Sequence, residues 1–349
     1  MSKLIDFLFP DKNLCSLNKI KFSRRLHLLD IGARGGVDWP WSIFNKDSIS
    51  LILVEPDPIE AEKLKRNVKN QEGVVLPYAL WREKSTLTLN LNKSPGTSSV
   101  YKSNKQFLEQ FPDSERFDAK ETMKIETKTI DNLASLSEMP QVDFAKIDVQ
   151  GAELAILEGG HNHFKNELIG LEVEVEFAEL YSGQPLFSDV EGFVRNELGL
   201  ELWDLKKTYW KYNEGKHIPG SIKGRLVFGD ALFLRPILGL DKWLESMTED
   251  KASEKLAMLI ITSISYGYLD YATTLLKADS LIKYLDKELI DNFKQAVKNL
   301  SGGFRPFRYG NTLIYMGLDA LARAFKPTHK GWASIGRRLG SRRRGWTWF

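Results

Sequence analysis

The sequence LHLLDIGARGG, residues 26–36, joins a short apolar run to a glycine-rich turn. An apolar run of this length that ends in Asp30 and glycines is typical of a buried parallel strand whose carboxyl end leads into a loop. Glycines there let the backbone turn tightly and approach a ligand, and N–H groups at the start of a following helix can meet an anion. The stretch therefore predicts the first strand of a parallel sheet, with a ligand site at its end.

Strand and helix patterns alternate from this stretch to about residue 235. A second apolar run, 50–54, is followed by Asp57 and Pro58, residue types favoured at the N-cap and the first position of a helix. Further strands are predicted at 73–80, 86–91, 123–130, 142–149, 168–177, 200–206 and 225–234. Such alternation indicates an α/β fold with a parallel sheet and helices on both faces.

The pattern changes after Pro236. Residues 237–325 read as almost wholly helical, with apolar positions three or four residues apart. We therefore predict two regions, a domain over 1–236 and a helical C-terminal region over 237–349. The longest apolar stretch, 256–269, is shorter than the roughly 20 apolar residues that a membrane-spanning helix needs and favours a buried core helix.

Basic residues concentrate at the end of a chain whose formal net charge is only +3. Residues 336–349 contain five arginines and no acid, together with Trp346, Trp348 and Phe349. This composition suits an anionic membrane surface or a nucleic-acid backbone, although a solvated tail is the favoured interpretation. We expect no nucleic-acid partner, and we leave contact with a membrane surface and oligomerisation open.

Cysteine usage favours a reducing compartment. Cys15, the single cysteine, cannot form an intramolecular disulfide, and residues 1–10 lack the features of an export signal. We expect a cytoplasmic protein. No acid or thiol arrangement completes a metal site with His161 and His163, so no metal is expected.

The spacing of the glycines restricts the class of cofactor that the turn can bind. The dinucleotide fingerprint requires glycines at relative positions one, three and six, where this chain has Gly32, Arg34 and Val37. Asp30 can pair with the cationic amino group of a methionine moiety, and Glu55, at the end of the second strand, is spaced to bind two ribose hydroxyls. Dehydrogenases also place an acid near the second strand. An NAD-dependent oxidoreductase is therefore kept as a disfavoured interpretation.

A second motif, KIDVQGAE, occupies residues 146–153. Lys146 and Asp148 lie on the same face of an otherwise apolar strand, where they are costly to bury unless they pair or meet a ligand. A functional role is favoured. The structural alternative is a buried Lys146–Asp148 pair or a network around Glu153 at the start of a helix.

With these two motifs the chain resembles the FkbM family of methyltransferases. The resemblance runs from residue 28 to 160, includes the segments 55–58 and 129–133, and continues more loosely to Leu234. It implies a class I methyltransferase (Rossmann-like) α/β fold, with a mostly parallel seven-stranded sheet whose last strand is antiparallel. It also implies S-adenosylmethionine at the carboxyl ends of the strands and methylation of a hydroxyl on a sugar, glycan or polyketide, without a metal.

The resemblance also implies site residues. The residues expected to contact the cofactor are Asp30, Gly32, Ala33, Gly35, Glu55, Pro56, Ala79, Leu80 and Asp148. The nominees for the general base are Asp148, Glu153, Glu174 and Glu176. Glu172, Glu174 and Glu176 alternate with apolar residues, so either their face opens on the substrate cleft or their strand is less buried than a central strand.

Gln150 departs from the family motif, which generally has glutamate there. The main hypothesis is an S-adenosylmethionine-dependent O-methyltransferase that acts on a small-molecule, saccharide or glycan hydroxyl. The alternative is a methyltransferase-like binding or assembly module that has lost catalysis, with Gln150 marking the loss.

Overall fold

The computed structural model of the protein describes residues 17–18, 20–33, 39–68, 73–215, 224–301, 312–325, 332–336 and 339. Cys15, Gly35 and nearly all of the arginine-rich tail lie outside these residues. The strands of the described part are β1 (Leu26–Ile31), β2 (Ile49–Val54), β3 (Gly73–Leu76), β4 (Ala79–Leu80), β5 (Thr86–Asn92), β6 (Ala119–Lys128), β7 (Phe144–Ile147), β8 (Gly170–Glu176), β9 (Glu201–Trp210), β10 (Arg225–Leu234) and β11 (Ala333–Ile335).

The helices of the described part fall between the strands and, after β10, follow one another directly. They are α1 (Pro58–Val68), α2 (Lys105–Leu108), α3 (Ile130–Ser135), α4 (Glu153–Gly159), α5 (His161–Glu167), α6 (Phe187–Phe193), α7 (Leu240–Glu245), α8 (Glu249–Ser265), α9 (Leu269–Leu275), α10 (Asp279–Ile282), α11 (Lys287–Ser301) and α12 (Thr312–Ala324). The predicted helical character of 237–325 is thus present in its described residues.

The central sheet has the strand order β11-β9-β10-β8-β7-β1-β2-β3. Six strands run in the same direction, because β9 and β8 are both antiparallel to β10, and only β10 and β11 oppose them. The mostly parallel sheet predicted from sequence is confirmed. The number seven was wrong, since β11 adds an eighth strand after the point where strand patterns were predicted to cease. Three residues are too few to give a periodic pattern.

A small second sheet, in the order β4-β6-β5, stands beside the parallel one. The predicted strand at 73–80 is in fact two strands in different sheets. Pro77 lies between β3 and β4, and proline cannot donate a hydrogen bond to a strand ladder. The β5–β6 hairpin is thereby carried over the carboxyl end of the central sheet.

Alternating side chains fill two apolar layers on the two faces of the central sheet. Leu28 and Phe144 pack on one face with Leu256 and Ile260 of α8, which confirms the buried core helix predicted there. The opposite layer contains the intervening positions of β1, β2, β7 and β8 with α4 and α6. Within the described residues, no helix is both long enough and apolar enough to cross a bilayer.

A network of buried charges joins α8 to the sheet. The Lys255 ammonium, fully buried, donates to the Asp143 carboxylate at 2.9 Å and to the main-chain oxygen of Glu167 at 2.7 Å. Asp143, also fully buried, accepts from Arg24 Nη1 at 2.6 Å, and Arg24 Nε reaches Glu254 of α8 at 2.6 Å. Burial alone would raise the pKa of the Asp143 carboxyl, but the charges of Lys255 and Arg24 outweigh it and hold this pKa below its ordinary value.

Candidate active site

A cleft of about 590 Å³ lies at the carboxyl ends of β1, β2 and β7. Gly32 follows β1, Glu55 follows β2, and the residues from Asp148 to Gln150 follow β7, so the ends of adjacent parallel strands form one wall. The volume falls in the range of roughly 300–1,000 Å³ that is usual for small-molecule sites. The position is also the one expected for a ligand in an open α/β sheet.

The second sheet provides the opposite wall. Leu89 and Leu91 of β5 and Met123 and Ile125 of β6 present apolar side chains to the cleft. The loop between the two strands adds Pro95, Gly96, Ser98 and Val100. The cleft therefore combines a polar wall at the strand ends with a largely apolar one.

Some of the residues predicted to contact the cofactor line the cleft, and others do not. Gly32, Glu55, Pro56, Leu80 and Asp148 line the cleft. The other described members of the set are buried beside the cleft and do not form its wall: Asp30, Ala33 and Ala79. Gly35 lies outside the described residues.

Local hydrogen bonds hold Glu55 at the end of β2. Its Oε1 accepts from the backbone N–H of Asp57 at 2.9 Å, and Asp57 Oδ1 accepts from the N–H of Ile59 at 2.8 Å. Asp57 is thus the N-cap of α1, which begins at Pro58 as predicted. Together these bonds fix the acid at the cleft edge.

Gly32 is required by the neighbouring loop of the protein itself. Its φ of +87° lies in the left-handed region, and a Cβ there would come within 2.0 Å of the Asp148 carbonyl oxygen. The N–H of Asp148 also donates to the Ile31 carbonyl at 3.0 Å. The loops after β1 and β7 are therefore in direct backbone contact, and a side chain at residue 32 would separate them.

The four carboxylates nominated as bases come together at one edge of the cleft. Asp148 lines it, and each of Glu153, Glu174 and Glu176 places an oxygen within 4.8 Å of the others. All three glutamates are buried, and β8, which carries Glu174 and Glu176, is a central strand. The explanation by a less buried strand is therefore wrong, and Glu174 and Glu176 lie behind Asp148, outside the cleft wall as described.

Burial and mutual repulsion change how these acids titrate. Burial raises the pKa of Glu153 to about 7, and the charge of Asp148 adds to the effect. The pKa values of Glu174 and Glu176 are also raised, by burial and by the neighbouring carboxylates. Because these pKa values are raised, the cluster keeps protons near neutral pH. Carboxyl groups at this spacing can share a proton or hold a cation.

Gln150 joins this cluster to the loop that covers the cleft. Its Nε2 donates to Asp148 Oδ1 at 3.1 Å and to Glu174 Oε2 at 2.6 Å, and its main-chain oxygen accepts from the Ser99 hydroxyl at 2.6 Å. The Tyr181 hydroxyl lies 3.0 Å from Gln150 Oε1. An ionised glutamate could not donate to two carboxylates, so the amide has a physical reason to stand here. Sequence reasoning missed this role because the partners are distant along the chain.

The start of α4 is set by the turn before it. The helix begins at Glu153 because Gln150 (φ +60°) and Gly151 (φ +100°) both take left-handed backbone conformations. Glu153 Oε1 accepts from the N–H of Val149 at 2.9 Å. The network around Glu153 that was considered as a structural alternative is therefore present beside the site.

Glu172, the remaining acid of the alternating set, has its hydrogen-bond partner outside this cluster. Its Oε2 accepts from the Tyr266 hydroxyl of the helical region at 2.7 Å, and burial raises its pKa from the ordinary 4.5 to about 7. Between these two pH values an unfolded chain ionises while the folded protein keeps the proton. Stability therefore falls as pH rises through this window, and the full penalty is present above about pH 7.

The Glu172→Gln variant tests this linkage. Glutamine can still accept from Tyr266, so we expect little change in unfolding free energy near pH 5 and a gain on the order of 1–3 kcal/mol near pH 8. Urea unfolding at the two pH values measures it, with exposed Glu109→Gln as the matched control. A gain that is equal at both pH values would contradict the assignment.

A comparison with family models identifies one match. Residues 30–201 match the model described as the methyltransferase FkbM domain. This range runs from the end of β1 through β8 and contains all of the cleft residues discussed above.

Several solved structures are similar at low sequence identity. A methyltransferase FkbM from Methylobacillus flagellatus KT is 13% identical, with a TM-score of 0.34, over 60% of this chain and 44% of that chain. A TehB-like SAM-dependent methyltransferase from Corynebacterium glutamicum is 12% identical, with a TM-score of 0.28, over 64% and 88% of the two chains. This chain therefore spans less than half the length of the Methylobacillus protein. No curated protein matches the chain.

Proposed function

The chain belongs to the methyltransferase FkbM family through its residues 30–201, and from this premise we propose that it transfers a methyl group from S-adenosylmethionine to a hydroxyl of a saccharide, glycan or related natural product. The observation that carries the proposal is the presence of two acids in one wall of the cleft. Glu55 stands at the end of β2, and Asp148 stands after β7 in front of the buried carboxyl cluster.

The cleft residues fit the proposed cofactor. A carboxylate at Glu55 suits a pair of ribose hydroxyls, and Leu80 and Ile156 offer apolar surface to a flat base. Asp30, buried at the end of β1, supplies a negative charge near the cationic end of a methionine moiety. S-adenosylmethionine would supply a methyl group already activated by its attachment to a sulfonium.

The protein then has to orient the acceptor and take its proton. Asp148 is the only nominated base in the cleft wall as described, and Gln150 occupies its Oδ1, which leaves Oδ2 to receive the hydroxyl proton. The acceptor oxygen would gain the methyl group as the bond from methyl to sulfur breaks, which would release S-adenosylhomocysteine, and the hydroxyl proton would pass to Asp148.

The inactive-module alternative rested on Gln150 alone. In the structure, Gln150 holds two acids of the cluster and contacts the loop that covers the cleft. These contacts support a positioning role, and no contact of the described residues favours the alternative.

Calorimetric titration of the full chain with S-adenosylmethionine, and separately with NAD, tests the cofactor. We expect binding of S-adenosylmethionine only, weakened about 10–100-fold in Glu55→Ala because hydrogen bonds to a charged group are lost. Asp30→Ala should also weaken it, whereas the exposed Glu109→Ala should not. The acceptor is then identified by measuring the release of S-adenosylhomocysteine with each member of a panel of glycosides that have free hydroxyls. Absence of S-adenosylmethionine binding would overturn the proposal, and NAD binding would revive the oxidoreductase interpretation.

A further inference from the structure

Helix α12 leaves an unusual amount of apolar surface in contact with solvent. Leu313 is 81% exposed, Leu318 55%, Leu321 61% and the adjoining Phe325 80%. Monomeric proteins seldom expose so many large apolar side chains together, and such patches commonly mark an interaction surface. We therefore expect a partner to cover the exposed apolar side chains of α12.

Part of this exposed apolar surface forms a continuous line along the helix. Leu318, Leu321 and Phe325 recur at three- and four-residue spacing and form one stripe, the α12 stripe. Each of the three side chains is more than half exposed. The stripe is therefore available to a partner surface.

Charge identifies the kind of surface that would accept this helix. The sequence from 302 to 349 contains ten lysines and arginines and a single acid, a formal charge of +9, whereas the whole chain carries +3. The first 301 residues therefore carry −6. The same 48 residues contain nine aromatic residues, which favour the interface between water and lipid. The apolar helix thus belongs to the one strongly basic part of the chain.

We propose that α12 lies in the surface of an anionic lipid bilayer, with the α12 stripe inserted at the level of the headgroups and the surrounding basic residues bound to acidic lipid. An amphipathic helix with cationic surroundings and aromatic residues is the signature of such binding. At 13 residues the helix is too short to span a bilayer but long enough to lie in its plane.

Other occupants fit less well. A second copy of the chain would bring two regions of +9 together, which repel, and protein interface cores are depleted in charge. A nucleic acid would account for the basic residues but would gain nothing from the α12 stripe. The inference does not rest on the proposed methyl transfer, since α12 contributes no residue to the cleft wall.

Vesicle sedimentation of the full chain tests the proposal. The probes are vesicles of phosphatidylcholine alone and of phosphatidylcholine with about 30 mol% phosphatidylglycerol. We expect binding to the anionic vesicles only, and weaker binding as salt screens the charges. Leu318→Glu/Leu321→Glu should reduce binding by about 10-fold or more, because it removes the apolar contribution and adds two negative charges.

The control variant is Leu136→Glu/Leu238→Glu, which makes the same charge change at positions that are 58% and 87% exposed elsewhere. It should retain most of the binding, and both variants should keep the wild-type thermal unfolding midpoint because none of the four residues is buried. Failure to bind anionic vesicles, or equal losses in the two variants, would overturn the proposal. So would a lipid-free dimer that only the α12 variant dissociates, because the stripe would then be a subunit interface.

Discussion

Replacement of Asp148 by asparagine is expected to lower kcat by about 10²–10⁴-fold on any acceptor that the glycoside panel identifies. Asparagine keeps the size of the side chain and an oxygen that can accept from Gln150 Nε2, which now lies 3.1 Å from Asp148 Oδ1. It cannot take up the proton of the acceptor hydroxyl. The loss should therefore appear in kcat, whereas the affinity for S-adenosylmethionine and the unfolding midpoint should change little.

Two controls make this result specific. Asp47→Asn removes a carboxylate whose side chain is 94% exposed and should leave kcat unchanged. Calorimetric titration of Asp148→Asn with S-adenosylmethionine separates a catalytic loss from a loss of binding. An Asp148→Asn enzyme that keeps kcat within about tenfold of the wild type would place the base elsewhere in the carboxyl cluster.

Replacement of Lys255 by methionine should produce the largest loss of stability. The variant leaves the fully buried Asp143 carboxylate with Arg24 as its remaining cationic partner and removes the donor that reaches the Glu167 carbonyl. Breaking a buried ion pair by removing one partner typically costs about 3–5 kcal/mol, because the remaining charge stays buried with less compensation. We expect a decrease of that size in the unfolding free energy from urea denaturation.

Lys251 is the matched control, since it lies one helical turn earlier on α8 and pairs with Glu167 at 2.6 Å while its side chain stays 34% exposed. Lys251→Met should cost less than about 1 kcal/mol, as partly exposed pairs usually do. In the double variant Lys255→Met/Asp143→Asn, the buried carboxylate charge that lost one of its two cationic partners is gone, and part of the stability should return. Equal, small losses for both lysine variants would show that the network is not needed for stability.

Much of the fold follows from local sequence chemistry. The apolar run that ends at Asp30, and the sequence Asp57-Pro58, specify β1 and the start of α1 through interactions within a few residues. The cleft position follows from these elements, because the ends of parallel strands meet at one edge. The mostly parallel sheet and the buried helix α8 were predictable for the same reason.

The remaining features depend on contacts between distant residues. Strand β11 is defined by pairing with β9, more than a hundred residues earlier, and its three residues carry no pattern of their own. The role of Gln150 depends on Glu174 and Tyr181, which no local pattern links to it. Lys255 sits within an apolar helix, and only the three-dimensional packing shows that it meets Asp143.

The charge network also constrains how the chain can fold during synthesis. Arg24, Asp143 and Lys255 are separated by 119 and 112 residues, so they leave the ribosome at widely different times. At typical translation speeds, Lys255 is synthesised on the order of 10 s after Asp143, with which its ammonium group pairs in the core. Until then this edge of the sheet must stay hydrated or rely on Arg24 alone. Closure of the core is therefore a late event, timed by the arrival of α8.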